Sequence, residues 1–374
     1  MGGKFMKENI MNVPDGTRDL LYEDCRVIEK LTRKVNSLFE SWSYSEVITP
    51  SLEFYDTFTN YRDGISQEEM YKFFDNKGKI LALKADCTIP IARVVSSKLK
   101  NSELPLRLRY ESRVFRVNES LVGKRNEYID CGIEYIGGEH FFSEVEVLII
   151  GIEAIKSSNI DNFKIELGHI GIIRRLCELS NLDEHSKEYL IKIIEDKKLV
   201  ELEEYLNELN IEEKYKKIFK EIPWYFGSRD ILDKGRNLID DSLIREYIDY
   251  LDKIYKSLAS MGYEKYLSFD LGMAPKIKYY SGIVFRGYVE GIGNYILYGG
   301  RYDNLIKSYG RDLEAIGLSL RINELIEIIN KDEFLDKEES EEIFYNSENF
   351  NEKIKMANEK RKQGKKVVLL KEAK

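Results

Sequence analysis

Apolar residues recur at helical spacing between positions 28 and 42, where Ile28, Leu31, Val35, Leu38 and Trp42 share one stripe. The segment therefore predicts an amphipathic helix. Turn chemistry precedes it at 12–19 (NVPDGTRD), and an extended piece at 45–48 follows, ending before Pro50. The period then drops to two. Residues 80–88 set Leu81 and Leu83 against Lys84, Asp86 and Thr88, provided the strand stays extended that far. Segments 104–118 and 127–136 read as two longer strands around a loop with Gly123, Lys124 and Arg125. In the second strand Ile129, Cys131, Ile133 and Tyr135 face one way, and Tyr128, Asp130, Gly132 and Glu134 the other. Such a strand covers a core with one face and offers carboxylates with the other.

Ser143-Glu-Val-Glu146 has capping-box spacing and predicts a helix from there through about Ile155. Between about 170 and 262 the alternation disappears. Short helical patterns rich in Glu, Lys, Leu and Tyr take over, which predicts an inserted all-α module. Strand signals return at 267–270, at 279–289 and, past a turn at 291–293, at 295–298. GGRYDNL (299–305) turns that strand into a helix, and 315–320 is a last strand with a helix at 321–330. Past an acidic linker (331–342), residues 343–345, 351–363 and 366–370 read strand–helix–strand. The expected class is α+β: a core domain from 12–169 and 263–330, a helical module at 170–262, and an incomplete α/β segment at 340–374.

Composition narrows the function. With 43% apolar and 33% charged residues the chain can bury a globular core. The most apolar stretch, 145–155, is interrupted by Glu146 and Glu153, so no membrane span is expected. Four scattered cysteines without a C-x-x-C pair, and only three histidines, argue against a zinc site or a disulfide framework. Reduced thiols and a cytoplasmic location fit better, and neither a metal nor a cofactor is expected. A net charge of −8 disfavours a dedicated nucleic-acid surface. The basic run from Lys353 to Lys366 reads as a solvated helix face.

No G-x-S-x-G, P-loop, H-E-x-x-H or dinucleotide fingerprint occurs. The candidate chemistry is instead a set of polar residues on inward strand faces, among them Arg116, Asp130 and Glu134. A buried charge is costly unless paired. Such residues therefore meet a ligand or one another, and the sequence by itself leaves both readings open.

Five ordered motifs resemble the catalytic core of histidyl-type class II aminoacyl-tRNA synthetases. VPDGTRDLL (13–21) is similar to that family's P-x-G-x-x-D opening, and Lys84-Ala-Asp-Cys-Thr88 to its R-P-E-G-T stretch. YESRVFRVNESLVGKRNEYIDCGIEYIG (110–137) resembles the motif 2 strand–loop–strand. YYSGIVF (279–285) resembles R-G-L-D-Y-Y-T-G-x-V-F-E, and GGRYDNL matches G-G-R-Y-D-x-L. The resemblance covers about 12–330. It implies an antiparallel sheet flanked by helices, with a dimer interface near 28–50. It also implies an amino-acid pocket: Asp86, Thr88 and Asp130 for the substrate amino group, with Glu134, Tyr279 and Tyr280 around the side chain. Arg116 would be the motif 2 arginine.

The departures from that family fall on phosphate chemistry. The motif 2 glutamate position is Asn118, the loop arginine falls on Asn126, and the arginine of R-G-L-D-Y-Y falls on Pro275, with Lys276 and Lys278 at other offsets. Arg321-Ile-Asn-Glu324 puts a glutamate where motif 3 ends in arginine. Adenylation needs cations placed around the triphosphate, so activation of an amino acid and charging of tRNA are expected to be lost. A synthetase-like core with its amino-acid end kept and its ATP clamp gone is similar to the ATP phosphoribosyltransferase regulatory subunits. That resemblance implies histidine as ligand, feedback regulation of the first step of histidine biosynthesis, and a short catalytic transferase as partner to a homodimer within a hetero-oligomer. The alternative is a histidine–tRNA ligase or related amino-acid-activating enzyme, which would need arginine at 275 and 324.

Overall fold

In the computed structural model, which describes residues 11–59, 64–118, 125–275, 279–335 and 340–372, the first predicted helix is α1 (Tyr22–Ser41). Its buried stripe is Val27, Leu31, Val35 and Phe39, so the inward face is rotated from the one expected. Ile28, Leu38 and Trp42 are only half-buried. β1 (Ser45–Glu46), β2 (Leu52–Phe54), a short α2 (Tyr55–Thr59), β3 (Lys72–Phe74) and β4 (Ile80–Leu83) follow. Next come α3 (Thr88–Ser97), β5 (Leu106–Phe115), β6 (Glu127–Ile136), α4 (His140–Lys156) and β7 (Phe163–His169).

The 170–262 segment holds α5 (Ile170–Leu179), α6 (Glu184–Glu195), α7 (Leu199–Glu208) and α8 (Glu213–Glu221). A two-residue strand β8 (Phe226–Gly227), α9 (Asp230–Leu238) and α10 (Ser242–Ala259) complete it. The chain then returns through β9 (Leu267–Asp270), β10 (Ile283–Val289), β11 (Leu297–Arg301), α11 (Asp303–Ser308), β12 (Ala315–Arg321) and α12 (Ile322–Leu325).

Nine strands form one sheet in the order β1-β5-β6-β12-β11-β10-β7-β9-β8. Most neighbours are antiparallel, and β1–β5 and β7–β9 are parallel. A small antiparallel sheet, β2-β4-β3, stands beside it. The chain splits into two compact units, Met1–Ile329 and Asn330–Lys374. In the second, β13 (Glu341–Tyr345) and β14 (Val367–Lys371) pair in parallel. α13 (Phe350–Lys362) connects them over a core of Ile343, Ala357, Val367 and Leu369. Lys360 and Lys365 are both held by Glu341, the latter at 2.6 Å.

Three local expectations need correcting. The strand at 80–88 ends at Leu83, and Thr88 opens α3. The Asp86 carboxylate accepts the Ile89 N–H at 2.9 Å, as a helix N-terminus requires, and Pro90 sits where a missing N–H costs nothing. The capping box at 143–146 does not form: α4 already begins at His140, and Ser143 donates back to the His140 carbonyl at 2.9 Å. Glu146 is drawn away by Arg107 and Tyr44, at 2.9 and 3.0 Å. The helix expected at 321–330 is only the four residues of α12, because β12 runs on through Arg321.

Candidate functional site

Alternation along β6 turns Tyr128, Asp130, Gly132 and Glu134 to one face of the sheet. On β12, Gly317, Ser319 and Arg321 stand opposite Glu134, Gly132 and Asp130 in register. On β11, Tyr298 and Gly300 come next, opposite Ser319 and Gly317. This face is not open: Asp130 and Glu134 are fully buried, because a layer of tyrosines lies over them. Small residues make the room. A Cβ at Gly317 would lie 1.8 Å from Glu134 Oε2, and one at Gly300 2.8 Å from the Tyr280 ring.

The residues singled out in the sequence come together here. Thr88 Oγ1 donates to Glu134 Oε1 at 2.7 Å, and the Tyr302 hydroxyl donates to Glu134 Oε2. The Tyr302 ring packs edge-on against Tyr279 at 5.9 Å, and Tyr279 lies 5.0 Å from Tyr280. The Tyr279 hydroxyl donates to Asp86 Oδ2 at 3.4 Å. Arg116 Nη2 stands 3.6 Å from the same oxygen, and Arg116 Nε donates to the Ala85 carbonyl at 2.8 Å. Asp130 Oδ2 accepts from the Tyr298 hydroxyl at 3.0 Å. Lys84 does not join them; its ammonium donates to Thr49, at 3.1 Å to the carbonyl.

Burial pushes all three carboxyl groups above their ordinary values, Glu134 to about 8. Hydrogen bonds from Tyr302 and Thr88 pull Glu134 back only in part. Arg321 and Arg116 oppose the rise at Asp130, and Arg116 opposes it at Asp86. Ser319 Oγ lies near enough to Asp130 to lower its carboxyl, yet outside hydrogen-bond geometry. Four buried polar atoms on this face have no hydrogen-bond partner among the described residues: Asp130 Oδ1, Arg116 Nη2, Ser319 Oγ and Arg321 Nε. Such groups are uncommon in protein interiors and call for a partner from outside the chain, a ligand's polar atom or an ordered water; Arg93 Nε, Ser96 Oγ, Arg109 Nε and Ser158 Oγ are left in the same state elsewhere. No group of three or more metal-ligating side chains occurs among the described residues.

Several contributors escaped the sequence reading. Tyr302 belongs to the quoted GGRYDNL motif but had no role assigned, while its neighbour Arg301 pairs with Glu144 at 2.5 Å on the opposite face. Tyr298, Arg321 and Gly317 are reached only through strand register. Glu195, at the end of α6, accepts the Ala274 N–H at 3.1 Å and pairs with Arg286 on β10. It thereby ties the helical segment to the chain leading into Tyr279.

The phosphate-facing positions are built differently. Asn126 Oδ1 accepts from the Asn118 N–H at 3.0 Å, and Asn126 Nδ2 donates to the Asp15 carbonyl at 3.0 Å. Asn118 Nδ2 donates to the Arg125 carbonyl at 2.5 Å. Arg125 is committed to Glu327 at 2.5 Å, which also pairs with Arg18 at 2.8 Å. Gly123, Lys124, Lys276 and Lys278 lie outside the described residues. Glu324, the position where motif 3 would end in arginine, lies buried in α12 directly after β12. An open groove of about 650 Å³ elsewhere is lined by Thr17, Arg18, Glu29, Glu111, Arg113 and Glu127 among others, and by none of the seven candidates.

The model of the family described as histidyl-tRNA synthetase matches residues 16–325. An ATP phosphoribosyltransferase regulatory subunit of Clostridium novyi (strain NT) is 39% identical over 353 residues, 93% of this chain and 84% of that one. A crystal structure from Bacillus halodurans C, described as an ATP phosphoribosyltransferase regulatory subunit/histidyl-tRNA synthetase, superimposes with a TM-score of 0.84 at 31% identity. It covers 97% of this chain and 93% of that one. Histidyl-tRNA synthetase from Nostoc sp. PCC 7120 shares the fold, with a TM-score of 0.77 at 20% identity over 97% of this chain and 86% of that one.

Proposed function

We propose that this chain, which belongs to the histidyl-tRNA synthetase family and within it to the ATP phosphoribosyltransferase regulatory subunits, is a non-catalytic partner of a short catalytic transferase and conveys feedback by histidine. The observation that carries the non-catalytic reading is the fate of Asn118, Asn126 and Arg125. At the positions where a synthetase grips the triphosphate, these side chains hold the loop to itself, to the Asp15 turn and to Glu327. Among the described residues these positions offer no free cation to chemistry that depends on prearranged positive charge, Asn118 and Asn126 being neutral and Arg125 paired with Glu327.

The ligand assignment rests on the Asp86/Thr88/Asp130/Glu134/Tyr279/Tyr280 face beside Arg116. Buried acids suit the ammonium and imidazole of histidine, and the tyrosines supply apolar walls. Binding would act on the partner through quaternary state. If histidine prefers one arrangement of the complex, a coupling of ~1–3 kcal/mol suffices for feedback. The homodimer is assigned to the 28–50 region and its surroundings, where Ile48, Leu52 and Phe54 are exposed apolar side chains. Among the described residues no helix is long and apolar enough to cross a membrane.

Co-expression with a short transferase, followed by light scattering and a phosphoribosyl-ATP assay, tests the proposal. Activity should require both chains and fall on addition of histidine. A transferase that is fully active, assembled and histidine-inhibited without this chain rules the proposal out.

A further inference from the structure

We propose that Arg321 receives the α-carboxylate of the ligand, so that Arg321 and Asp130 together read the zwitterionic end of a free amino acid. The inference rests on the pocket reading above and adds the half that no residue there supplies. It begins with three arginines on the site face of the sheet. Arg116 stands against Asp86 at 3.6 Å, and Arg286 is paired with Glu195. Arg321, 8% exposed, forms no ion pair among the described residues. Its one side-chain hydrogen bond goes to the Tyr295 hydroxyl at 3.4 Å, and its Nε has no acceptor.

A guanidinium carries five donors and keeps its charge, so burying it with so little satisfaction is costly unless an anion arrives. The site holds it ready for one. The rings of Tyr295, Tyr128 and Tyr298 surround it with centroids 4.4, 4.6 and 5.1 Å away. Stacking fixes the guanidinium plane without consuming its donors. Its field is felt locally: the Tyr295 phenol is held below its ordinary value chiefly by Arg321.

Directly across the β6–β12 ladder stands Asp130, with one oxygen on Tyr298 and the other without a partner. An unused acceptor and an unused donor thus belong to side chains at paired positions on one face of adjacent strands, about 5 Å apart at the backbone. An amino acid carries its ammonium and carboxylate on one carbon, which matches that juxtaposition: ammonium to Asp130 Oδ1, carboxylate to Arg321 Nε.

The test is calorimetric titration of the full chain, alone and with its catalytic partner, with L-histidine and with L-histidinol, whose carboxylate is replaced by an alcohol. The wild type should prefer histidine by about 10- to 100-fold, the range expected for one charge-assisted contact in a buried site. R321M should weaken histidine by that factor and leave histidinol nearly unchanged, bringing the ratio close to one. R321K keeps the charge but not the planar fork, and should restore part of the preference. A general loosening of the fold would weaken both ligands together and leave the ratio in place. If R321M binds histidine with the wild-type ratio, Arg321 is not the carboxylate receptor. If the wild type binds neither ligand in either setting, the pocket reading itself falls.

Discussion

The amino-acid end of the site is buried on the face of the sheet and the phosphate end is half-buried in the loop between β5 and β6, and the two use their polar side chains in opposite ways. At the amino-acid end, around Asp130 and Arg321, buried donors and acceptors are left over. At the phosphate end, Asn118, Asn126 and Arg125 are consumed by the loop and by the neighbouring turn. Leftover polarity inside a fold costs free energy and persists where something else supplies the missing partner. Consumed polarity is ordinary structure. On the reading proposed above, one half of the site faces a ligand and the other serves as scaffold.

The strongest way to break this comparison is to look for chemistry at the scaffold end. Histidine-dependent ATP–pyrophosphate exchange should be undetectable. Three missing arginine donors, each normally contributing ~10²–10³-fold, together remove about 10⁶-fold or more. Exchange above background that disappears in Arg116→Ala would show that the clamp survives in another form.

The next largest effect is expected at Gly317. A methyl there would lie 1.8 Å from Glu134 Oε2, so Gly317→Ala must push the carboxylate out of its bonds with Thr88 and Tyr302. Histidine affinity should fall by about 100-fold, with ~1–3 kcal/mol of stability lost to overpacking. Full affinity in a well-folded Gly317→Ala protein would place the ligand away from Glu134.

Glu134 also predicts a pH signature. Its carboxyl is raised from 4.5 to about 8, burial being the main cause. The folded chain therefore keeps a proton that the unfolded chain releases. Stability from this group is present below pH 4.5 and is lost as pH rises to about 8, at a slope of up to ~1.4 kcal/mol per pH unit. His169, held down to about 4 by burial, acts in the other direction and only below about 6.5. Denaturant melts between pH 6.5 and 8 therefore isolate Glu134 from it. Glu134→Gln should reduce the slope there, leaving the part due to Glu166, raised to about 7, and to Asp86, Asp130 and Glu144, which shift the same way. An unchanged slope would mean that Glu134 is ionised in the folded chain.

Much of the division was legible in the sequence, because alternation alone puts Asp130 and Glu134 on one face and the resemblance to the synthetase motifs implies Asp86, Thr88, Tyr279 and Tyr280. What escaped depended on long-range register. A tyrosine in a strand reads as packing, and nothing local reveals that Tyr302 reaches Glu134 or that Arg321 faces Asp130 across a ladder. β7 was overlooked even though Phe163, Ile165 and Leu167 alternate with Lys164 and Glu166. The start of α4 was misplaced because Glu146 fits capping spacing but is claimed by Arg107 and Tyr44, partners far away in the chain. The run from 84 to 88 was ambiguous for a related reason. Its residues suit an extended strand, and a single bond from Ile89 to Asp86 closes a helix start instead.

The smallest expected effect sharpens the comparison from the scaffold side. If Asn126 is structural, Asn126→Ala should cost stability and nothing else. The substitution removes the acceptor for the Asn118 N–H and the donor to the Asp15 carbonyl, both at 3.0 Å, at a cost of about 1–2 kcal/mol for a half-buried pair of bonds. Histidine affinity and the activity of the complex should stay within about twofold of wild type, since the Asn126 side chain bonds to Asn118 and Asp15 and the Arg116 N–H is held by the Asn126 main-chain carbonyl, which the substitution keeps. Asn126→Arg restores the cation by residue type but not by place. The Asn126 side chain already packs against the Gly16 turn, where an added Cβ would sit 2.6 Å from Asn126 Cγ, so a longer side chain must disturb the turn before it can reach a phosphate. Chemical denaturation together with histidine titration of both variants decides the matter. A tenfold loss of ligand affinity in Asn126→Ala at unchanged stability would mean that the two halves of the site are still coupled, and that the loop has not been reduced to scaffold.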